Sequence, residues 1–364
     1  MEQTSHNAIY IIEKHYQFFS LYASKSIVVS EGEPLVDKLA LVTGACGFVG
    51  SHMLDLLIEK GIKIRATDLE SVDRGYVDRL GVEFVPADVT MKETLRPVLQ
   101  EADYVFHTAS VFDYSAPWDL LYRVNVEGTR NLCEVALETN PEIVVHWSSG
   151  AIYGISKELP TKETSAIEPS NNYEKSKWMQ EQTALEFYRK YGLPVTAMRS
   201  ASVYGPRSRY GAIIPIFMLA RGELPAIPGS GKTMGTFVHV KDVVGSALFL
   251  AGKKEAIGES YNIADDSHYT NEELLLYAAE LLDVKVRKFH IPALMINLMA
   301  WWSEWRAKLE GKKPVIERDA VEYLFHDYWL DNSKIKELGY KLIYPDIKEG
   351  LKETIGWYKD EGWL

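Results

Sequence analysis

The chain of 364 residues has few of the features that mark secreted, membrane-spanning or nucleic-acid-binding proteins. Its two cysteines, Cys46 and Cys133, form no CxxC pair and predict no disulfide framework. No apolar run is long enough to span a bilayer. The net charge is −11 and no basic run resembles a nucleic-acid footprint, so nucleic acid is not an expected partner. We therefore expect a globular protein of a reducing cytoplasm.

The order of apolar and amphipathic segments predicts an α/β protein. Hydrophobic content is 46% and charged content 25%, both ordinary for a globular chain. From residue 38, short apolar runs alternate with amphipathic stretches, which indicates a doubly wound parallel sheet. Strands are expected at 38–43, 62–67, 82–85, 103–107, 142–148 and 194–199, and helices at 48–60, 91–100, 119–139 and 173–191.

The chain after residue 199 and the chain before residue 37 depart from this alternation. Prolines and glycines are frequent over 206–235, a strand and helix return at 236–251, and 265–364 is expected to be mainly helical. We predict a nucleotide-binding core (37–205 and 236–264) and a smaller, mostly helical substrate lobe (206–235 and 265–364). Residues 1–36 are expected to be an extension that packs on the surface or on a partner subunit.

A glycine-rich turn follows the first predicted strand. Residues 43–50 read T-G-A-C-G-F-V-G, with Gly44, Gly47 and Gly50 three apart and with Phe48 and Val49 opening the next helix. Because glycine has no side chain, these positions allow a tight turn, close approach of the backbone to a pyrophosphate and close helix–strand packing. The free N–H groups and positive end of the helix favour the same anion. The turn predicts a dinucleotide site.

Acidic residues after the second and third strands refine the cofactor. Asp68 lies 24 residues after Gly44, where a carboxylate accepts both ribose hydroxyls and repels a 2′-phosphate. This favours NAD over NADP, although a turn or N-cap role is an alternative. Asp88 is placed to accept the adenine amino group while Val89 covers the ring. A simple N-cap for the helix from Met91 is nearly as good an interpretation.

The fourth strand ends in small residues at the sheet edge where ligands bind. Thr108, Ala109 and Ser110 leave room for the cofactor to pass. The neighbouring His107 fits a hydrogen-bonded core histidine better than a catalyst. No metal site is predicted.

The chemical part of the site is expected at the start of the helix over 173–191. Tyr173 and Lys177 are four residues apart and share a helix face, so the ammonium can favour the phenolate form of the tyrosine. The spacing alone is common on solvated helices. Ser149, at the end of a buried-type strand, supplies a hydroxyl for a substrate oxygen. A simple Ser turn is the alternative for Ser149.

In combination these motifs resemble the extended short-chain dehydrogenase/reductases, from about Leu39 to the C-terminus. The likeness implies that Tyr173 is the general acid/base, Lys177 its pKa-lowering partner and Ser149 the group that orients the substrate oxygen. It also implies that Asn125 supports a proton relay, against a helix-capping alternative. The motifs that carry it are T-G-x-x-G-F-V-G, Asp68, H-T-A-S at 107–110, N-V-E-G-T at 125–129, S-S-G-A-I-Y-G at 148–154, Tyr173/Lys177, V-Y-G-P at 203–206 and F-V-H-V-K-D at 237–242.

Two features favour the 3β-hydroxysteroid dehydrogenase branch of that family. Nucleotide-sugar members usually carry an arginine just before the F-x-H-V-x-D strand, where this chain has Gly235 and Thr236. The apolar, Trp-rich stretch over 289–302 resembles that branch and suggests an apolar substrate. It could form a lid or an interfacial helix with peripheral membrane contact through 289–313, and a core helix or dimer contact is at least as good an interpretation.

We therefore expect an NAD-dependent oxidoreductase that interconverts a secondary alcohol and a ketone, acting as a homodimer in the cytoplasm. A nucleotide-sugar 4-epimerase or dehydratase on the same site is one alternative. A non-catalytic dinucleotide sensor is another.

Overall fold

Seven parallel strands form the main sheet of this computed structural model, which describes residues 37–364 except 225, 312, 313 and 315. The strands are β1 (Leu39–Thr43), β2 (Lys63–Thr67), β3 (Glu83–Phe84), β4 (Tyr104–His107), β5 (Ile143–Trp147), β6 (Val195–Ser200) and β10 (Ser260–Ile263). Their order across the sheet is β10-β6-β5-β4-β1-β2-β3. The direction of winding reverses between β1 and β4, the position at which doubly wound sheets bind ligands.

Helices cover both faces of this sheet. They are α1 (Phe48–Glu59), α2 (Gly75–Leu80), α3 (Lys92–Leu99), α4 (Trp118–Leu121), α5 (Gly128–Thr139), α6 (Asn172–Tyr191) and α8 (Val240–Ala251). Helix α6 begins at Asn171, whose side chain accepts the Glu174 N–H, and ends at Gly192, which is left-handed at φ +75°. Strand β5 is buried along its whole length, as expected of a central parallel strand. The predicted fold class is confirmed.

The chain after β6 forms two further small sheets and a second buried cluster. Short strands β8 (Ala226–Pro228) and β11 (Arg287–Ile291) pair in parallel, and β7 (Ser202–Tyr204) pairs with β9 (Phe237–His239). The remaining helices are α7 (Ile214–Ala220), α9 (Asn271–Leu282), α10 (Ala293–Glu310), α11 (Arg318–Glu322), α12 (Ser333–Glu337) and α13 (Ile347–Asp360). Apolar side chains of α7, α9 and α13 form one buried cluster, including Ile216, Leu275 and Leu351.

The structure differs from the expected elements at three places. The helix predicted over 119–139 is interrupted by a π-helical segment, Tyr122–Glu127, between α4 and α5. Helix α7 and strand β8 lie in the stretch for which no element was predicted. Strand β11 lies in a stretch that was expected to be mainly helical. It is a strand because it pairs with β8, which is distant in the sequence. The predicted extension over 1–36 lies outside the described residues.

Candidate active site

The glycine turn between β1 and α1 is as tight as its sequence predicts. Gly44 is left-handed at φ +67°, and a Cβ there would lie 2.9 Å from backbone atoms of Ala109. A Cβ on Gly50 would lie 2.1 Å from the Gly44 carbonyl oxygen, and one on Gly47 would lie 3.1 Å from it. Phe48 and Val49 open helix α1 directly after the turn. The backbone of the turn therefore has no space for side chains and faces the switch point of the sheet.

Asp68 lies immediately after β2 and beside the glycine turn. Its carboxylate accepts hydrogen bonds from the Cys46 N–H at 3.0 Å and from the Leu69 N–H at 2.8 Å. Burial raises the pKa of Asp68 above its ordinary value, and the two N–H donors oppose that rise. The residue is thus held against the turn, where a carboxylate can meet a cofactor ribose.

Asp88 and Val89 follow β3, and Val89 lies against the start of α5. Asp88 Oδ1 accepts hydrogen bonds from the backbone and hydroxyl of Thr90, both at 2.8 Å, so one carboxylate oxygen forms a local turn. Val89 is buried against Gly128, where a Cβ would lie 2.7 Å from the Val89 side chain. Asp88 therefore holds a local turn. Met91 is the N-cap of α3 and no side chain caps that helix, so the N-cap alternative for Asp88 is wrong, and its adenine contact stays a prediction.

The end of β4 contributes a line of hydrogen bonds that crosses the site. His107 bonds to the Thr43 hydroxyl at 2.8 Å and to the Thr129 hydroxyl at 2.9 Å. Gln180 of α6 donates to the same Thr129 oxygen at 3.0 Å and accepts from Lys177 Nζ at 2.6 Å. His107 is therefore a hydrogen-bonded core residue that connects β1 to the helix carrying Lys177.

The small residues after His107 lie against the glycine turn. The Thr108 hydroxyl donates to the Thr43 carbonyl oxygen at 2.6 Å. The Ala109 backbone N–H donates to the Thr43 hydroxyl at 3.3 Å, and Ser110 is exposed at the edge of the sheet. These contacts close one wall of the predicted cofactor groove.

Tyr173 and Ser149 meet at the edge of the sheet, as the motif spacing predicts. The two side chains share a hydrogen bond, and Ser149 Oγ also accepts the Ala151 N–H at 3.1 Å. Burial raises the pKa of Tyr173 above its ordinary value, and the Ser149 bond opposes that rise. Tyr173 in this structure is therefore a neutral phenol that can donate its proton.

Lys177 lies one turn further along α6 and is fully enclosed. Its ammonium donates to the Trp147 carbonyl oxygen at 2.7 Å as well as to Gln180. Burial lowers the pKa of Lys177 to about 7, although the nearby Glu181 carboxylate raises it. A lysine with this pKa exchanges its proton near neutral pH, a common property of functional sites.

Asn125 belongs to the π-helical segment and is fully buried. Its Oδ1 accepts the Val111 N–H at 2.7 Å, and its Nδ2 donates to the Ser176 hydroxyl at 2.9 Å. Ser176 in turn donates to the Tyr173 carbonyl oxygen at 2.7 Å. Asn125 thus joins the loop after β4 to the first turn of α6, and the helix-cap alternative does not describe this position. Segments of π-helix occur often at functional sites.

The residues 40–264 match the model of the "NAD dependent epimerase/dehydratase family". The chain belongs to this family. Human dTDP-D-glucose 4,6-dehydratase is 28% identical, over 89% of this chain and 90% of its own. Mouse sterol-4-alpha-carboxylate 3-dehydrogenase (decarboxylating) is 27% identical, over 87% of this chain and 90% of its own. A solved structure of a dTDP-glucose 4,6-dehydratase from Streptomyces venezuelae with NAD is 26% identical. The match covers 89% of this chain and 98% of that one, with a TM-score of 0.72.

The cofactor of this epimerase/dehydratase family member is NAD, and the described residues fit it. The turn at Gly44, Gly47 and Gly50 is a cradle that any Cβ would fill, and it opens on the start of α1. The Asp68 carboxylate accepts the Cys46 N–H of that turn. Lys177 donates to the Trp147 carbonyl oxygen at the end of β5, on the other side of the switch point. These residues would hold the pyrophosphate, the adenine ribose and the nicotinamide ribose respectively.

Three aromatic residues near Tyr173 are not among the predicted site residues. Aromatic rings of Phe112, Tyr114 and Tyr323 cluster beside Tyr173, and the Tyr323 hydroxyl donates to Glu174 at 2.5 Å. Phe112 and Tyr114 lie in the loop that follows β4, whereas Tyr323 is 149 residues from Glu174 along the chain. Only the three-dimensional fold brings the two together.

Proposed function

We propose that the protein interconverts a secondary alcohol and a ketone on an apolar, ring-containing substrate. The aromatic cluster around Tyr173 carries this proposal. The ring of Phe112 lies 5.3 Å from that of Tyr173, and the ring of Tyr114 lies 4.9 Å from it. Tyr323 adds a third ring 6.5 Å from Tyr114. Such a wall suits a flat apolar substrate better than a hydroxyl-rich sugar.

The arrangement of arginines supports the same conclusion. A sugar nucleotide brings a diphosphate, which proteins commonly bind with arginine. In this chain the Arg207 guanidinium donates to Asp55 at 2.6 Å, and Arg209 lies 4.3 Å above the ring of Trp363. At the position just before β9, the Thr236 hydroxyl donates to the Tyr328 carbonyl oxygen at 2.6 Å. Both arginines thus have partners within the protein.

The acid/base chemistry follows from three side chains. When bound, NAD supplies the group that exchanges a hydride with the carbon bearing the oxygen. Ser149 would hydrogen-bond the substrate oxygen while Tyr173 donates a proton to it in reduction or accepts one in oxidation. The raised pKa of Tyr173 favours donation. Lys177 bonds to Trp147 and Gln180, and as a cation on the same helix it would favour the phenolate needed for acceptance.

A nucleotide-sugar 4-epimerase or dehydratase is the second candidate, because the human and Streptomyces relatives are named as dehydratases. Such an enzyme would use the same tyrosine and leave no net NADH. A non-catalytic dinucleotide sensor fits less well. Burying Lys177 beside Gln180 is costly, and a sensor has no need of it.

NADH absorbance with a panel of sterols, simple secondary alcohols and nucleotide sugars tests the proposal. We expect NADH from the apolar alcohols. In Tyr173→Phe we expect kcat to fall about 100- to 10,000-fold while NAD binding is retained. Tyr191→Phe, an exposed tyrosine on the same helix, is the control.

Three results would contradict it. Turnover retained in Tyr173→Phe would remove the acid/base assignment. A nucleotide sugar converted without net NADH would establish the epimerase or dehydratase. Binding of NAD with no conversion of any substrate would favour the sensor.

A further inference from the structure

Helix α10 is attached to the protein by a narrow stripe and exposes its other side. Its buried residues are Ile296, Ala300 and Ala307, and the first two pack with Val321 and Phe325. Its exposed apolar residues are Leu294, Met295, Leu298, Met299, Trp301, Trp302, Trp305 and Leu309, each at least 45% accessible. An 18-residue helix with this many exposed apolar side chains is unusual for a water-facing surface.

The exposed apolar residues form one continuous face. At about 100° per residue, Leu298, Trp305 and Leu309 lie opposite the stripe that contains Ala300. Lys308 lies on one border of that face, and Arg306, whose Nε donates to Glu310 at 2.6 Å, lies on the other. The rings of Trp302 and Trp305 lie 4.9 Å apart on it. This is the pattern of a helix that lies in an interface between apolar and aqueous phases.

The charge of the surrounding chain is opposite to that of the whole protein. Residues 285–318 carry eight Lys or Arg and three Glu, whereas the net charge of the chain is −11. Arg287 and Lys288 on β11 are exposed directly before α10. Cations beside an apolar face complement anionic head groups, and tryptophan concentrates at membrane–water boundaries.

We propose that the outward face of α10 docks on the surface of a membrane containing anionic lipid. Among the described helices, none has the length and hydropathy needed to cross a bilayer, so docking is lateral. A second copy of the chain fits less well, because a two-fold pairing on this face would bring the basic residues of both copies together. The inference rests on α10 and β11, not on the proposed substrate.

Docking at this face has a consequence for the active site, which does rest on the proposed function. Val321 and Phe325 pack against α10, and Tyr323 between them lies 6.5 Å from Tyr114. The membrane-facing helix is therefore one layer away from the aromatic wall beside Tyr173. An apolar substrate dissolved in lipid would have a short path to that wall.

Co-sedimentation of the full chain with vesicles tests the docking. Vesicles of phosphatidylcholine alone are compared with vesicles that also contain phosphatidylserine, at low and high salt. We expect binding to the anionic vesicles, weakened by salt. Trp302→Ser with Trp305→Ser should lower the partition coefficient about tenfold or more. Tyr191→Ser with Tyr210→Ser, exposed aromatics elsewhere, is the matched control.

A charge variant separates the two contributions. Arg287→Gln with Lys288→Gln should weaken binding to anionic vesicles several-fold and leave binding to neutral vesicles unchanged. The proposal is overturned if the unchanged protein stays in the supernatant, or if the tryptophan variant binds like its control. A dimer that dissociates in the tryptophan variant, measured by light scattering without vesicles, would instead assign the face to a second copy. NADH formation without vesicles, measured in parallel, reports the proposed function separately.

Discussion

The cofactor half and the substrate half of the site are built in different ways. In the cofactor half, backbone atoms and short side chains make the decisive contacts, as where a Cβ on Gly50 would lie only 2.1 Å from the Gly44 carbonyl oxygen. In the substrate half, large rings meet from distant segments, as where Tyr323 adjoins Tyr114. A tight backbone turn requires particular residues, such as glycine, at neighbouring positions of the sequence. Contacts between rings from distant segments leave no such local pattern. The cofactor is therefore established as NAD, whereas the substrate is a proposal.

The largest expected effect is at the glycine turn. Gly44 and Gly61 have the same φ of +67°, but a Cβ on Gly61 would meet nothing within 4 Å, whereas one on Gly44 would lie 2.9 Å from Ala109. Gly61→Ala should cost only the left-handed conformation, about 1 kcal/mol of unfolding free energy. Gly44→Ala should cost more and abolish NAD binding, measured by urea unfolding and calorimetry. Equal losses in the two variants would show that the close approach to Ala109 is unimportant.

The second expected effect is on acid stability. Burial, together with Lys177, lowers the pKa of His107 to about 3, against an ordinary value of 6.5. Between these values the unfolded chain binds more protons than the folded one, so stability falls as the pH falls. His107→Gln should flatten this slope by up to about 1.4 kcal/mol per pH unit.

Denaturant unfolding at a series of pH values from 7 to 4 measures the slope, with the exposed His326→Gln as control. An unchanged slope in His107→Gln would place the acid sensitivity elsewhere. Other buried histidines with lowered pKa values are His52, His146 and His239.

The third expected effect concerns cofactor choice. Asp68→Asn removes the charge that would repel a 2′-phosphate and weakens acceptance from ribose hydroxyls. The ratio of kcat/KM for NAD to that for NADP should fall about tenfold. Asp73→Asn, a nearby exposed acid whose Oδ1 accepts the Gly75 N–H, is the control. A ratio unchanged in Asp68→Asn would mean that this carboxylate does not select the cofactor.

Sequence patterns predicted strands β1 to β6 of the main sheet to within about two residues, since buried parallel strands are short apolar runs. They also predicted the meeting of Ser149 with Tyr173, because both follow from sheet edges and helix spacing. They did not predict the link from His107 through Thr129 to Gln180, nor strand β11. Those depend on packing between segments far apart in the chain, which no local pattern records.

The smallest expected effect sharpens the substrate half. Tyr323→Phe keeps the ring beside Tyr114 but removes the hydroxyl that donates to Glu174 at 2.5 Å. The buried Glu174 loses a partner, so the unfolding free energy should fall by about 1–2 kcal/mol. If the ring rather than the hydroxyl contacts substrate, KM should change little in Tyr323→Phe and rise markedly in Tyr323→Ala, with kcat less affected in both. Steady-state kinetics beside the exposed control Tyr210→Phe measures this. Equal KM values in all of these variants would remove Tyr323 from the substrate wall and leave the Glu174 bond as its whole role.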